Sequence, residues 1–191
     1  YAITQGSLAL AGNGAFLATN YILVFTEDVI FTISAKDAST LTIADIAPVT
    51  YNGTAQTPEP EVRDGDTVLV KGVDYSLSYA ANTNVGTATV TVAGKGNYNG
   101  TQNTTFAINT AALAVTPDAG QSKVFGAHDP VFAYTFTGAV GGETPAFTGA
   151  QIRDEGEDVG VYAITQGSLA LADNGAFLAA NYTMAFTEGV T

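Results

Sequence analysis

Cysteine and tryptophan are both missing from the 191 residues, and positive charge is scarce, with six Lys plus Arg against eighteen Asp plus Glu. Without a thiol there is neither a disulfide nor a thiolate metal site. A net charge of −12 and a pI near 4.1 have the wrong sign for a nucleic-acid partner, whose recognition needs a basic footprint. No apolar run approaches the roughly 20 residues of a membrane-spanning helix, so no membrane span is expected in this stretch. No charged-then-apolar leader opens it. Charged residues make up 13%, about half the average for soluble proteins. Thr, Ser, Asn and Gly fill the space, as on polar strand faces and in turns.

What the chain does have is a long match to itself. The segment from Tyr1, YAITQGSLALAGNGAFLATNYILVFTEDV, recurs from Tyr162 as YAITQGSLALADNGAFLAANYTMAFTEGV. The two agree at 23 of 29 positions without a gap. Self-similarity at a fixed offset marks repeat architectures. The expectation is a parent protein repeating a unit of about 161 residues (Tyr162 minus Tyr1). On that reading, residues 1–33 are the C-terminal half of a preceding module, in a piece cut from something longer. Ile3, Leu8, Leu10, Phe16, Tyr21, Leu23 and Phe25 then lack their native partners, and an exposed strand edge favours association.

Alternation at period two dominates the rest. Tyr75, Leu77 and Tyr79 alternate with Ser76 and Ser78, Val90 and Val92 with Thr89 and Thr91, Phe132, Tyr134 and Phe136 with Ala133 and Thr135. Tyr182, Met184 and Phe186 repeat the scheme. Such runs predict half-buried antiparallel strands. Turn signals separate them at Asn52-Gly53, Asp64-Gly65, Gly94-Lys95-Gly96, Asn99-Gly100 and Gly141-Gly142. A single helical turn fits near Ala176–Ala180. The predicted fold is all-β, a tandem of small antiparallel β-sandwich modules, immunoglobulin-like or grasp-like, in an elongated array. The modules are placed at 40–109 and 112–191. Their junctions, Ser34–Ser39 and Asn109–Ala112, are short and flanked by strand pattern, which favours a rod over flexible beads.

The second module reads LAVTPDAGQSKVFGAHDPVFAYTFTG, then RDEGEDVGVYAITQGSL, then NYTMAF. Its landmarks are Lys123, Phe125-Gly126, Asp129-Pro130, Gly156-Glu157, Val159-Gly160-Val161-Tyr162 and Asn181-Tyr182. It resembles the MBG repeats of the YGX type found in bacterial surface adhesins and filamentous-haemagglutinin-like proteins, with Phe125 standing where the family usually has Tyr. The first module carries VTYNGTAQTPEPEV and KGVDYSLSYAANTNVGTATVTVAGKGNYNGT. It resembles the "YNG…DY…GKGNYxG" repeats of secreted bacterial multidomain proteins. The resemblance implies an extracellular, cell-surface location and a structural or adhesive role, and it brings no catalytic residues. Tyr98 and Tyr182, each after Asn, fit buried rings whose hydroxyls bond to backbone, as in tyrosine corners.

A search for chemistry finds little. His128 is the only histidine, which leaves a Ser-His-Asp device without a nucleophile turn and a zinc site with too few ligands; it reads as a turn residue. Gly94-Lys95-Gly96 lacks the spacing of a phosphate loop. No pair among the acids is marked as a glycosidase couple. Asp64, Asp66, Asp154, Glu155, Glu157 and Asp158 supply the oxygens calcium prefers, in no EF-hand pattern, and an acidic solvated loop is the competing reading. No cofactor is expected otherwise. The expected function is therefore a non-enzymatic structural repeat, a stiff stalk or self-associating filament unit. Its partners would be other copies of the same repeat, through strand pairing or domain completion. The alternative is a module that binds glycan or mucin by avidity.

Overall fold

Alternating sequences become strands only where a neighbour supplies the ladder. The computed structural model describes residues 1–26 and 28–191, in two compact units, Tyr1–Lys36 and Asp37–Thr191. It is an all-β protein whose only helical pieces, among the described residues, are single 3-10 turns.

In Asp37–Thr191 the main sheet has four strands. Tyr75–Ala80 pairs antiparallel with Gly86–Gly94, which pairs antiparallel with Thr101–Asn109. Val49–Thr50 closes the edge in parallel, with Val49 opposite Ile108. The β-branched run Val90 to Val92 turns every second residue inward, and Ala88, Val90 and Val92 are fully buried. A smaller sheet of Thr42–Ile43, Val62–Asp64 and Thr67–Val68 lies beside it. Its hairpin turns at Gly65, at positive φ, where the Asp-Gly signal predicted a turn.

Residues beyond Thr110 form a three-stranded sheet with Ala111–Pro117 in the middle. Tyr134–Thr137 flanks it antiparallel and Tyr182–Phe186 flanks it parallel, with Ala111 opposite Tyr182 and Val115 opposite Phe186. Two short antiparallel pairs, Ala146–Thr148 with Ala170–Ala172 and Ile152–Arg153 with Ile164–Thr165, complete the module. Antiparallel pairings predominate as predicted. The two parallel ones join strands far apart in sequence, and alternation carries no sign of direction. The helical turn expected near Ala176–Ala180 is a 3-10 turn at Ala179–Asn181.

Two apolar clusters hold this unit. One lies inside the first module, built from Ala38, Leu41, Val62, Leu69, Tyr75 and Val92. The other runs across the expected module boundary without a break: Tyr51, Ala88, Val90, Phe106 and Ile108 pack with Ala111, Leu113, Phe177 and Tyr182.

Tyr1–Lys36, taken by itself, contains the 3-10 turn Ala18–Asn20 and the bridges Ala2 to Ile30 and Asn13 to Phe16. Backbone bonds from Ile3 N to Val29 O and from Phe31 N to Tyr1 O, both 2.8 Å, tie its ends. Residues 1–10 form no regular strand.

Candidate functional site

For a repeat module the chemistry of interest is how it holds its neighbour, and side-chain bonds cross the seam between the modules. It begins with the backbone. The strand Thr101–Asn109 buries even-numbered residues, Phe106 and Ile108, whereas Ala111–Pro117 buries odd-numbered ones, Ala111, Leu113 and Val115. One residue, Thr110, separates them. Since side chains alternate faces strictly, this change of parity turns the other face of the chain inward, and both strands feed the one cluster that spans the boundary. Thr110 Oγ1 meets Thr183 Oγ1 at 2.7 Å on the outside.

Side chains then lock the seam. Asp173 Oδ1 accepts from Ala179 N at 2.8 Å, which fixes the 3-10 turn and aims Asn181 at the first module. Asn181, fully buried, accepts from Val85 N at 3.0 Å and donates from Nδ2 to Asn84 Oδ1 at 3.1 Å. A buried amide with partners on both its polar atoms fixes one relative placement of the two modules, because leaving either unpaired costs about 1–3 kcal/mol. Tyr182 stacks on Phe177 with centroids 4.7 Å apart and meets Tyr51 edge-on at 5.6 Å.

Glu143 sits over this aromatic group. Its two carboxylate oxygens accept from the hydroxyls of Tyr51 and Tyr182, the second at 2.8 Å, and Tyr182 Oη accepts in turn from Val140 N at 3.1 Å. Burial, and then the Glu143 carboxylate, push the Tyr51 hydroxyl up to about 12; burial raises Tyr182 as well. Both tyrosines thus remain donors through the neutral range. The turns that bring Tyr51 and Glu143 together approach closely. A Cβ on Gly53, at positive φ, would stand 3.1 Å from the Gly141 Cα, so both backbones are held to glycine here.

A second cluster lies at the other end of the second module. Lys123 Nζ pairs with Asp129 at 2.9 Å and Glu157 at 2.8 Å, and Arg153 reaches the same two carboxylates at 3.0 and 2.6 Å. The Arg153 guanidinium lies 4.9 Å over the Tyr162 ring, and Tyr162 donates to the Asp158 carbonyl at 2.8 Å. The hydrogen bonds from Lys123 and then from Arg153 hold the Asp129 and Glu157 carboxyls below their ordinary range. Gly156 lies under the Tyr162 ring, where any Cβ would collide. These residues line a cleft of about 450 Å³, whose lining also includes Asp158, so two cations face three acidic residues there.

Residues singled out from sequence fall as follows. Glu157 belongs to this ion-paired cluster. Asp154 and Asp158 enter it through backbone carbonyls, to Arg153 and Tyr162. Glu155 is exposed. Asp64 accepts from the Tyr98 hydroxyl at 3.2 Å, and the Asp66 carbonyl accepts from Arg63. Among the described residues no three acidic or His side chains converge as a cation would need. Tyr182 bonds to backbone as its Asn-Tyr setting suggested, whereas Tyr98 is half-buried and meets a carboxylate. His128 is exposed in a loop. Glu143 and Asn84 carry no signal of a seam in the sequence beyond the Gly-Gly turn before Glu143, and Asn181 stands out there only as a landmark beside Tyr182.

The class these observations define is an all-β repeat module fused to its neighbour through a shared core. Residues 113–190, less than half of the chain, match the family model of the MBG domain (YGX type). No curated protein and no solved structure matches the chain.

Proposed function

We propose that this chain is a non-enzymatic structural repeat of a bacterial cell-surface protein, a stiff stalk segment that holds other parts of its parent away from the cell. The seam supports the reading most directly. A spacer works by resisting bending, and here the apolar cluster, the buried Asn181 and the Glu143 bridge cross from one module to the next. Inter-domain contacts of ordinary polar character permit motion, whereas a shared apolar core opposes it. The MBG match at residues 113–190 and the internal repeat point the same way, because interchangeable copies extend a stalk without new design. An extracellular location belongs to the same proposal.

Small-angle scattering of the chain across a concentration series tests it. A stiff stalk gives an elongated profile whose intramolecular dimensions do not vary with salt. Dimensions that contract and broaden as salt changes would mean a flexible tether and would end the stalk reading.

A further inference from the structure

Gln151 is a buried residue whose amide the fold leaves unpaired. It is 6% exposed, and neither Oε1 nor Nε2 has a hydrogen-bond partner in the protein. Buried amides are nearly always bonded, because an unpaired one costs stability. Asn181, the other buried polar side chain among the described residues, follows that rule at both its polar atoms. The backbone on either side of Gln151 is tethered. Ala150 donates to Ser168 Oγ at 3.1 Å and accepts from Ser168 N at 3.0 Å, and Ile152 pairs with Thr165. A fixed strand therefore delivers this amide inward.

Gln151 lines a cavity of about 430 Å³ that adjoins the ion-paired cleft. Pro130, Phe132 and Ile152 supply apolar wall. The charged lining sets Arg153 against Asp129, Asp154, Glu155 and Glu157. Arg153 and Lys123 are both engaged by Asp129 and Glu157. Among the described residues, neither the Asp154 nor the Glu155 carboxylate has an ion pair. Arg153 Nη1 holds their loop by donating to the carbonyls of Asp154 and Gly156. The cavity thus offers a buried donor and acceptor side by side, an apolar wall and two uncompensated negative charges.

We propose that this cavity binds a basic peptide segment of a partner protein, with the Gln151 amide pairing to one of its peptide units and a lysine side chain reaching Asp154 and Glu155. A peptide unit carries one donor and one acceptor, the complement of a carboxamide. A bare metal ion would satisfy oxygens only and leave Nε2 unpaired. The lysine stem is apolar along its length while its head is charged, which matches a wall of Phe132 and Ile152 leading to carboxylates. Asp154 lies three residues beyond Gln151, at most roughly 10 Å of extended backbone, a gap that an extended lysine closes with a hydrogen bond at each end. The site shares no residue with the seam, so it stands or falls independently of the stalk role.

The test titrates acetyl-Gly-Lys-Gly-amide into the isotope-labelled chain and follows the Gln151 side-chain amide by NMR, its signal assigned by its loss in Gln151→Leu. A saturable shift of that signal is expected. Replacing the lysine of the probe by norleucine, or changing Asp154→Asn together with Glu155→Gln, should each weaken binding at least about tenfold, as loss of a charged hydrogen bond implies. Gln151→Leu should abolish binding and leave the melting temperature unchanged or higher, since an apolar group of similar shape replaces an unpaired amide without loss. No saturable shift, equal affinity for the norleucine probe, or binding that survives Gln151→Leu overturns the proposal. A lower melting temperature for Gln151→Leu would show an amide already satisfied within the fold and overturns it too. A response to glucosamine with none to the lysine probe would assign the cavity to amino sugars, against the peptide.

Discussion

Replacing Asn181 with Ala removes two hydrogen bonds that cross the seam, to Val85 N at 3.0 Å and to Asn84 Oδ1 at 3.1 Å. Each such bond contributes about 1 kcal/mol net, and an amide left unpaired at a partly buried site adds to the loss, for a total of about 2–3 kcal/mol. For a unit of this size each kcal/mol moves the midpoint by about 2–4 °C, so calorimetry should record a fall of roughly 4–12 °C. The chain carries its own control. Asn20 occupies the same local sequence but is exposed, and Asn20→Ala should stay within about 0.5 kcal/mol of the parent. Equal effects from the two substitutions would show that Asn181 acts only within its own turn, and would refute the reading of it as a stitch between modules.

Four further outcomes follow from the same contacts. Glu143→Gln keeps the shape but loses the charge on two tyrosine bonds and should cost about 1–3 kcal/mol in chemical denaturation. Because the Tyr51 hydroxyl is raised to about 12, above its unfolded value near 10, its contribution is complete below about pH 10 and is lost as pH climbs through 12. Tyr51→Phe should flatten that part of the stability profile. Gly53→Ala forces a Cβ at positive φ toward Gly141 and should destabilise by about 1–3 kcal/mol, read from urea midpoints. Adding or chelating calcium should leave the melting temperature unchanged, since Glu157 is already engaged by Lys123 and Arg153; a calcium-dependent rise would point back to the acidic loops.

Much of the fold was legible because alternation is a local signal. Tyr75–Ala80, Gly86–Gly94 and Tyr182–Phe186 stand where their Tyr, Val and Thr pattern put them. Direction and partner were not legible. Val49 pairs in parallel with Ile108, and Ala111 with Tyr182, and neither sequence says so. Residues 1–10 form no regular strand, whereas their copy pairs at Ile164–Thr165. At the seam, Asn84 and Asn181 lie 97 residues apart in sequence, and nothing local relates them. The acidic run from Asp154 to Asp158 looked like one cluster, but extended and turning backbone sends neighbouring side chains apart. Glu157 joins Lys123 and Arg153, while Asp154 and Asp158 contribute only carbonyls. Tyr182 and Tyr98 share an Asn-Tyr setting, yet only Tyr182 sits where a neighbouring module buries it.

The stiffness of the seam is tested most directly by measuring distances across it. The chain has no cysteine, so spin labels can be placed at Asn103→Cys in the first module and Thr135→Cys in the second, both exposed positions. A single narrow distance distribution, broadened in the Asn181→Ala background, is the expected result. A broad distribution in the parent chain, unchanged by Asn181→Ala, would contradict a shared core and with it the stalk.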